Sequence, residues 1–256
     1  MKSFNRIVTT AAIFVAIGSA IMPAQEAFAS SFNVTPVRIS LDSRSKAERL
    51  SLRNNGDEEI RLQMDVYLWS QNDEGRDQYE PTSDIIVFPK LLSVPKGEER
   101  IVRVGLKKAF QVNRERTYRL YIQELPRPQD AKKGVAVTML MKAGVPIFFA
   151  PQRVEMGGTL ESLHLVKGTL ELKMRNTGTR HFVPSPIMVK GVSADGKELF
   201  SKESVGWYLL SGATRVYPVP LTKDECAKAE RLDIVVTADT LTMKGSLDVQ
   251  KDACSP

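Results

Sequence analysis

Short runs in which apolar and polar residues alternate recur along most of the chain, and they limit strongly how it can fold. From 60 to 69, alternate positions carry apolar residues, so one face of an extended segment would be buried and the other solvated. Turn-forming residues such as Asn54-Asn55-Gly56, Pro95-Lys96-Gly97 and Asn176-Thr177-Gly178 separate these runs. No segment shows a convincing amphipathic helical pattern. We therefore expect an all-β chain of short antiparallel strands.

The alternating runs form two sets on either side of Ala150-Pro151-Gln152, which predicts two sandwich domains at 30–151 and 152–256. Strands are predicted in the first domain at 37–41, 49–53, 60–69, 85–88, 100–106 and 118–125. Strands are predicted in the second domain at 169–174, 187–192, 205–210, 214–219 and 232–237.

The N-terminus has the pattern of a secretory signal peptide. Lys2 and Arg6 precede a mostly apolar stretch, and Ala27-Phe28-Ala29 has the form of a cleavage site. The alternative is a membrane anchor, but the apolar stretch is shorter than the roughly 20 residues that span a bilayer. We expect residues 1–29 to be removed, and the mature chain to be soluble without membrane insertion.

The charge and the cysteines further narrow the expected partners and the expected cellular compartment. The formal net charge is +6, but acidic and basic residues are interspersed, so nucleic acid is not an expected partner. Cys226 and Cys254 are the only cysteines, and in an exported chain we expect them to form one disulfide, the alternative being two free thiols. A Gram-negative periplasm is the compartment that fits these features.

Motifs for catalysis or metal binding are missing from the sequence. The two histidines, His164 and His181, are far apart, and neither belongs to a zinc-binding pattern. Phosphate-binding loops, dinucleotide fingerprints and nucleophile elbows are also missing. We expect no enzyme activity, no cofactor and no metal, although an all-β enzyme could build a site without such a motif.

The segment 132–151 is the most informative part of the chain. Val135, Val137, Met139 and Met141 alternate with residues that are themselves mostly apolar, so both faces of this strand would be covered. A polar stretch at 127–134 precedes it and would let the strand extend or reorder. The competing interpretation is an ordinary half-buried strand.

Several stretches together resemble the periplasmic chaperones of the chaperone–usher pathway, the PapD-like family. The resemblance covers the whole mature chain, and the residues at 81–84 and 144–146 look closest to its archaic branch. It implies two immunoglobulin-like β-sandwich domains in a boomerang arrangement. The stretches that carry it are VRI at 37–39, PTSDIIVFP at 81–89, VPKGEERIVRV at 94–104, YRLYIQELP at 118–126, NTGTRH at 176–181 and GWYLL at 206–210.

The resemblance also implies a mechanism and its partners. A fibre subunit of this pathway is a sandwich that lacks its last strand, and the chaperone lends one of its own strands before the subunit passes to an outer-membrane usher. Fimbrial or pilus subunits and the usher are therefore the expected partners. The donor side chains would be Val135, Val137, Met139 and Met141. Methionine suits this role because its unbranched side chain adapts to irregular pockets.

In the family, a basic pair between the domains holds the subunit's C-terminal carboxylate. Arg38 matches the arginine of that pair, and a guanidinium can bind a carboxylate with two hydrogen bonds. The family's lysine aligns with Pro146, so the sequence departs from the pattern there, and the nearest lysine is Lys142. These two residues would be about 13 Å apart along a strand. We expect Arg38 as the main anchor and Lys142 as the secondary one.

Two other functions compete with the chaperone. A fibre subunit or adhesive module would normally be one sandwich that lacks a strand and carries an alternating N-terminal extension, and here the segment 30–36 is short. A periplasmic enzyme or metal carrier is the other alternative, and the two isolated histidines disfavour it.

Overall fold

The computed structural model describes residues 32–108, 110–126 and 139–254. The predicted signal peptide at 1–29 lies outside the described residues. The first ten strands are β1 (Phe32–Thr35), β2 (Ile39–Leu41), β3 (Ala47–Asn54), β4 (Ile60–Gln71), β5 (Asp77–Pro81), β6 (Ile85–Phe88), β7 (Leu91–Val94), β8 (Glu99–Leu106), β9 (Arg116–Glu124) and β10 (Lys142–Phe149). The remaining elements are β11 (Gly158–Val166), β12 (Thr169–Asn176), β13 (Ile187–Val192), β14 (Glu198–Ser204), β15 (Thr214–Pro220), helix α1 (Lys223–Lys228), β16 (Arg231–Ala238), β17 (Leu241–Asp248) and a 3-10 turn (Lys251–Cys254).

The first ten strands form a sandwich of two sheets. Sheet one has the order β1-β3-β8-β6, and sheet two has the order β2-β10-β9-β4-β5, with β7 also paired to β4. Alternate residues of most strands point into the space between the sheets, as at Leu62, Met64 and Leu120, which are fully buried. The all-β, two-sandwich class predicted from the sequence is confirmed.

The first described residues contribute to both sheets. β1 pairs antiparallel with β3 in sheet one, and the chain then crosses at residues 36–38 to form β2 in sheet two. β2 is short and pairs parallel with β10, Ile39 lying opposite Ile147 and Leu41 opposite Phe149. This crossing places Arg38 at the edge where the two sheets of the first sandwich meet.

The second sandwich has its own two sheets and a separate core. One sheet has the order β11-β12-β15, and the other has the order β14-β13-β16-β17. In β12, Leu170, Leu172 and Met174 are fully buried, while the intervening Glu171 and Lys173 point outward. The strict alternation of this strand therefore fixes which face meets the opposite sheet.

One strand prediction was wrong. Residues 205–210 are not a strand, and only Leu209 makes an isolated bridge, to Phe182. The apolar residues of this segment serve another purpose: Tyr208 packs edge-on against Trp69 of the first sandwich. Its apolar pattern comes from the second core, which buries Leu209, and from the contact between domains, which buries Leu210.

The same buried asparagine holds a turn in each sandwich. The Asn54 side chain donates to the carbonyls of Glu58 and Val94 and accepts from the Gly56 amide. Asn176 repeats the arrangement, donating to the carbonyls of Arg180 and Leu209 and accepting from the Gly178 amide at 2.9 Å. Both turns predicted from the Asn-X-Gly pattern are thus fixed from inside by groups that would otherwise be buried without partners.

A short helix, α1, is the main departure from the all-strand pattern. Thr222 caps it, accepting from the Glu225 amide, and the Glu225 carboxylate accepts from the Thr222 amide in return. Within the helix, Cys226 is fully buried and forms a disulfide with Cys254 of the 3-10 turn, as the sequence predicted. The bond ties the C-terminal end of the described chain to the second core.

Replacing both cysteines by alanine is expected to destabilise the second domain. The disulfide joins residues 28 positions apart, and closing a loop of this size contributes about 3.5 kcal/mol in the chain-entropy model. Urea unfolding of the double variant should therefore show a lower midpoint than the oxidised protein. Reductant should lower the oxidised protein to the same midpoint and leave the variant unchanged, and an unchanged midpoint in the variant would contradict the expectation.

Within the described ranges, no helix combines the length and the apolar character needed to cross a membrane.

Candidate functional site

The first half of β10 has an open edge in the described structure. β9 pairs with β10 along its whole length, from Lys142 to Phe149, but β2 covers the other side only from Ile147 onward. The Glu124 amide donates to the Met141 carbonyl at 2.9 Å, so by antiparallel alternation Lys142 and Gly144 direct their backbone groups away from β9. An open edge of this kind is a template for another strand.

The apolar side chains next to this edge are exposed. Met139 and Met141 precede β10, and their relative exposures are 69% and 38%. Further along, Val145, Ile147 and Phe149 occupy the core of the first sandwich. Met139 and Met141 continue the same alternation outside the sandwich, where the described residues offer no core to receive them. The other predicted donors, Val135 and Val137, lie outside the described residues.

The outward face of sheet two, formed by alternate residues of β9, β10 and β4, meets the second domain. We call it the interdomain face. Trp69 and Phe148 are buried there against Leu210 of the second domain, in a cluster separate from both cores. Phe148 and Tyr208 rings lie 5.6 Å apart, centroid to centroid. Contact between domains is therefore largely aromatic.

Hydrogen bonds extend this contact along the β4–β5 hairpin. The Gln71 side chain donates to the Tyr208 carbonyl and accepts from the Leu210 amide. Asp77 accepts from Trp207 Nε1 at 2.8 Å. At the hairpin tip, a Cβ on Gly75 would lie 2.7 Å from the Arg215 Cα, so only glycine permits this approach. The hairpin thus fixes one side of the second domain against the first.

A buried carboxylate and a histidine join the domains at a second point. Glu115 of the β8–β9 connection accepts from His181 Nδ1 at 2.5 Å and from the His181 amide at 2.9 Å. Their side chains are 3% and 6% exposed. The imidazole also stacks on Phe148, with ring centroids 3.6 Å apart.

Arg38 and Lys142 do not lie beside one another. Arg38 comes one residue before Ile39, which is opposite Ile147, so Arg38 lies next to Pro146. It is exposed and makes no hydrogen bond or ion pair within the described residues. Lys142 starts β10 and places its ammonium 4.4 Å from the centre of the Tyr121 ring. Since Arg38 lies next to Pro146, Arg38 and Lys142 are separated by the four residues along β10 between Pro146 and Lys142.

A third cation, Arg119, lies on the interdomain face, across β10 from Arg38. It is directly opposite Pro146 in the β9–β10 ladder. Its guanidinium carbon is 5.3 Å from the Trp69 ring centre and 5.7 Å from that of Trp207. The side chain crosses β10 above Gly144, where a Cβ would come within 2.8 Å of Nε. That Nε is buried and has no hydrogen-bond partner.

The tyrosine beside this cation stays neutral. Burial, followed by hydrogen bonding to Tyr121, raises the pKa of Tyr79 well above its ordinary value. Tyr79 therefore adds no negative charge to the interdomain face at neutral pH.

Sequence reasoning missed Arg119, Trp69 and Trp207. The alternation at 118–125 placed Arg119 on the outward face of its strand but could not say that another domain would cover that face. Trp207 lies in the segment taken for a strand. Gly144, inside an apolar run, was the available signal, because glycine within a strand often marks a close approach.

The described residues hold no cluster of three or more histidine, cysteine or acidic side chains suited to a metal ion.

Two stacked sandwiches with an open strand edge beside an interdomain face define a two-domain, immunoglobulin-like binding protein. Residues 31–155 match the family model described as pili and flagellar-assembly chaperone, PapD N-terminal domain. The first domain belongs to this family of chaperones, and the matched region includes both the open edge of β10 and Arg38. No curated protein sequence matches the chain significantly.

Solved structures of pilus chaperones share the fold of both domains. One is the CsuC–CsuE chaperone–tip adhesion subunit pre-assembly complex from archaic Csu pili of Acinetobacter baumannii, with a TM-score of 0.59 at 20% identity over 83% of this chain and 98% of that chain. A second is the Salmonella enterica SafA pilin in complex with the SafB chaperone, with a TM-score of 0.55 at 14% identity over 85% and 96%. A third is the E. coli chaperone DraB, with a TM-score of 0.52 at 18% identity over 86% and 98%.

Proposed function

We propose that the protein is a periplasmic chaperone that captures fimbrial or pilus subunits by donor-strand complementation and delivers them to an outer-membrane usher. The observation that carries this proposal is the open edge of β10 with exposed Met139 and Met141 beside it. Backbone groups of Lys142 and Gly144 would pair with a subunit strand, and the methionines would enter its groove. Each methionine side chain so buried contributes about 1.5–3 kcal/mol.

Membership of a chaperone family favours this function over that of a fibre subunit. The first sandwich receives its own core residues from β10, namely Val145, Ile147 and Phe149, so its groove is filled from within. A subunit would instead need a strand from another molecule. The proposed activity is binding and protection rather than catalysis.

Co-expression with fibre subunits exported by the same bacterium tests the proposal. We expect a soluble one-to-one complex that co-purifies, while the chaperone alone stays small by size exclusion. Subunits produced without it should aggregate or polymerise. Subunits that remain equally soluble and monomeric without the protein would contradict the proposed function.

Arg38→Ala is expected to weaken subunit capture by roughly ten- to hundred-fold, since a hydrogen bond to a charged group contributes about 1.5–3 kcal/mol. The fold should be unaffected because Arg38 is exposed and bonds no described residue. Pull-down at low and high salt measures the effect. Lys142→Ala should weaken capture less, and mainly at low salt.

Arg103→Ala is the matched control for both variants. Arg103 is an exposed cation of β8 in sheet one, away from the interdomain face. Its removal lowers the net charge equally and should leave capture unchanged. If Arg38→Ala behaves like this control, Arg38 is not part of the site, and the same outcome for Lys142→Ala removes Lys142.

A further inference from the structure

A pocket opens at one end of the first sandwich, at the opposite end of β10 from the exposed methionines. Its volume is about 340 Å³, which is in the range of small-molecule sites. Phe149 at the pocket comes five positions after Gly144 at the open edge, about 17 Å along the strand. The pocket is therefore separate from the edge proposed to capture a strand. Its lining residues are Ser43, Lys46, Leu106, Phe110, Gln111 and Phe149.

The floor of the pocket is apolar and fixed in position. Phe149 is buried in the core of the first sandwich, and Leu106 and Phe110 pack against that core. The Phe110 and Phe149 rings are 4.8 Å apart, centroid to centroid. The guanidinium carbon of Arg116 lies 5.5 Å from the centre of the Phe110 ring. These contacts hold a preformed aromatic surface that can receive an apolar group.

The mouth of the pocket is polar. Ser43 and Lys46 belong to the turn between β2 and β3, and the Leu106 amide donates to the Lys46 carbonyl at 2.9 Å, which holds this turn beside the end of β8. The side chains of Ser43, Lys46 and Gln111 are exposed and make no hydrogen bond or ion pair within the described residues. An ammonium, a hydroxyl and an amide are therefore available to a ligand at one opening.

The charges around the mouth favour an anion. Segments 42–46 and 107–108 carry one carboxylate, Asp42, against four cations, Arg44, Lys46, Lys107 and Lys108. The Asp42 carboxylate accepts from the amides of Arg44 and Ser45, so it is used within its own turn. None of the four cations has a salt bridge in the described part of the chain. The mouth thus carries uncompensated positive charge.

One further carboxylate approaches this end of the sandwich, and it is also engaged. The Lys107 amide donates to the backbone carbonyl of Asp84. The Asp84 side chain accepts from the Tyr118 hydroxyl at 2.9 Å and pairs with Arg116 at 3.3 Å. It therefore leaves the charge of Lys46 to an external group.

The size of the pocket limits what that group belongs to. At about 30 Å³ for each water-sized group, a volume of 340 Å³ holds about eleven groups. A carboxylate with a chain of about eight carbons fits this space, and a phospholipid with two acyl chains does not. A positive mouth above an apolar floor suits a ligand with an anionic head and a short apolar body.

We propose that this pocket binds a small amphiphilic carboxylate. Its head lies at Lys46, with Ser43 and Gln111 as hydrogen-bond donors, and its apolar body lies on Phe110 and Phe149. The inference does not depend on the proposed function, because the pocket shares no lining residue with the open edge of β10.

Isothermal titration calorimetry of the full protein with sodium octanoate, below the concentration at which it forms micelles, tests the proposal. We expect saturable one-to-one binding. Butanoate should bind about ten-fold more weakly or less, since it lacks four methylenes that the floor would bury. The neutral 1-octanol should also bind about ten-fold more weakly, because it lacks the charge that Lys46 recognises.

Three results overturn the proposal. Octanoate may show no saturable binding, or octanoate and 1-octanol may bind equally. The third is binding of phosphatidylglycerol vesicles by a protein that does not bind octanoate, which assigns the basic mouth to a membrane surface.

Lys46→Gln tests the head of the ligand. It should weaken octanoate binding about ten-fold and leave 1-octanol binding unchanged. The fold should be retained, because the backbone of Lys46 and not its side chain bonds Leu106. Lys107→Gln is the matched control, since it removes the same charge just outside the lining. At physiological salt it should change octanoate binding by about two-fold at most.

Ser43→Phe tests the position of the ligand without changing any charge. Ser43 is exposed and its side chain bonds no described residue, so the unfolding midpoint should stay the same. A phenyl ring there would occupy the opening and should weaken octanoate binding by about ten-fold or more. Wild-type affinity for octanoate in both Ser43→Phe and Lys46→Gln would place the ligand elsewhere on the protein and overturn the assignment.

Discussion

Met139→Glu is expected to abolish subunit capture while the free protein folds normally. Met139 is 69% exposed in the free chain, so a carboxylate there costs the fold little. In a complex it would be buried without a partner, which costs several kcal/mol, and the contribution of the methionine would be lost as well. Pull-down should therefore show capture weakened by about a hundred-fold or more.

Leu140→Glu is the matched control. Leu140 adjoins Met139 and is 42% exposed, but in an extended strand it points to the opposite face. The same charge at this neighbouring position should reduce capture far less. Equal losses in the two variants would show that the alternation at 135–141 does not define the donor face, and wild-type capture by Met139→Glu would remove Met139 from it.

Glu115→Ala is expected to lower the free energy of unfolding by about 2–6 kcal/mol, because two buried donors would lose their acceptor at about 1–3 kcal/mol each. The His181 amide and Nδ1 would both lose their acceptor in a place that water does not reach. Because the pair links the two domains, we also expect the unfolding of one domain in this variant to be less coupled to the unfolding of the other. Urea unfolding monitored by tryptophan fluorescence measures the loss of stability and of coupling, since Trp69 lies at the contact between the domains.

Glu115→Gln tests the charge of the carboxylate, because both hydrogen bonds end on the same oxygen, Oε2. An amide oxygen can still accept from the His181 backbone, so this variant should be destabilised less than Glu115→Ala. A double-mutant cycle with His181→Ala isolates the pair from the stacking on Phe148. A coupling energy under about 0.5 kcal/mol would mean that the pair does not hold the domains together.

Most of the fold could be predicted from local sequence. β6 and β13 were predicted with the bounds they have, because each is an apolar run closed by turn residues or prolines. The turns at Asn54 and Asn176 were also predicted, since their side chains act within a few residues of the chain. Where a residue contacts positions that are close to it in the sequence, the local sequence pattern is sufficient to predict its structure.

Other features depend on which surfaces meet, and the sequence does not encode that locally. β5 is an edge strand whose residues are mostly exposed, so it has no alternating apolar signal. Residues 205–210 have such a signal because Leu209 enters the second core while Tyr208 and Leu210 contact the other domain. The neighbours of Arg119 come from two strands and from Trp207, which is nearly ninety positions away in the sequence. Only the assembled structure brings them together.

The aromatic contact between the domains shares no buried residue with either core. Trp69, Phe148 and Leu210 form their own cluster, and the two sandwiches keep their cores complete without it. Substitutions at this contact can therefore change how the second domain sits on the first without repacking the interior of either one. In evolution, such a joint would allow the width of the cargo site to be tuned by a few aromatic residues while the stability of both domains is inherited unchanged.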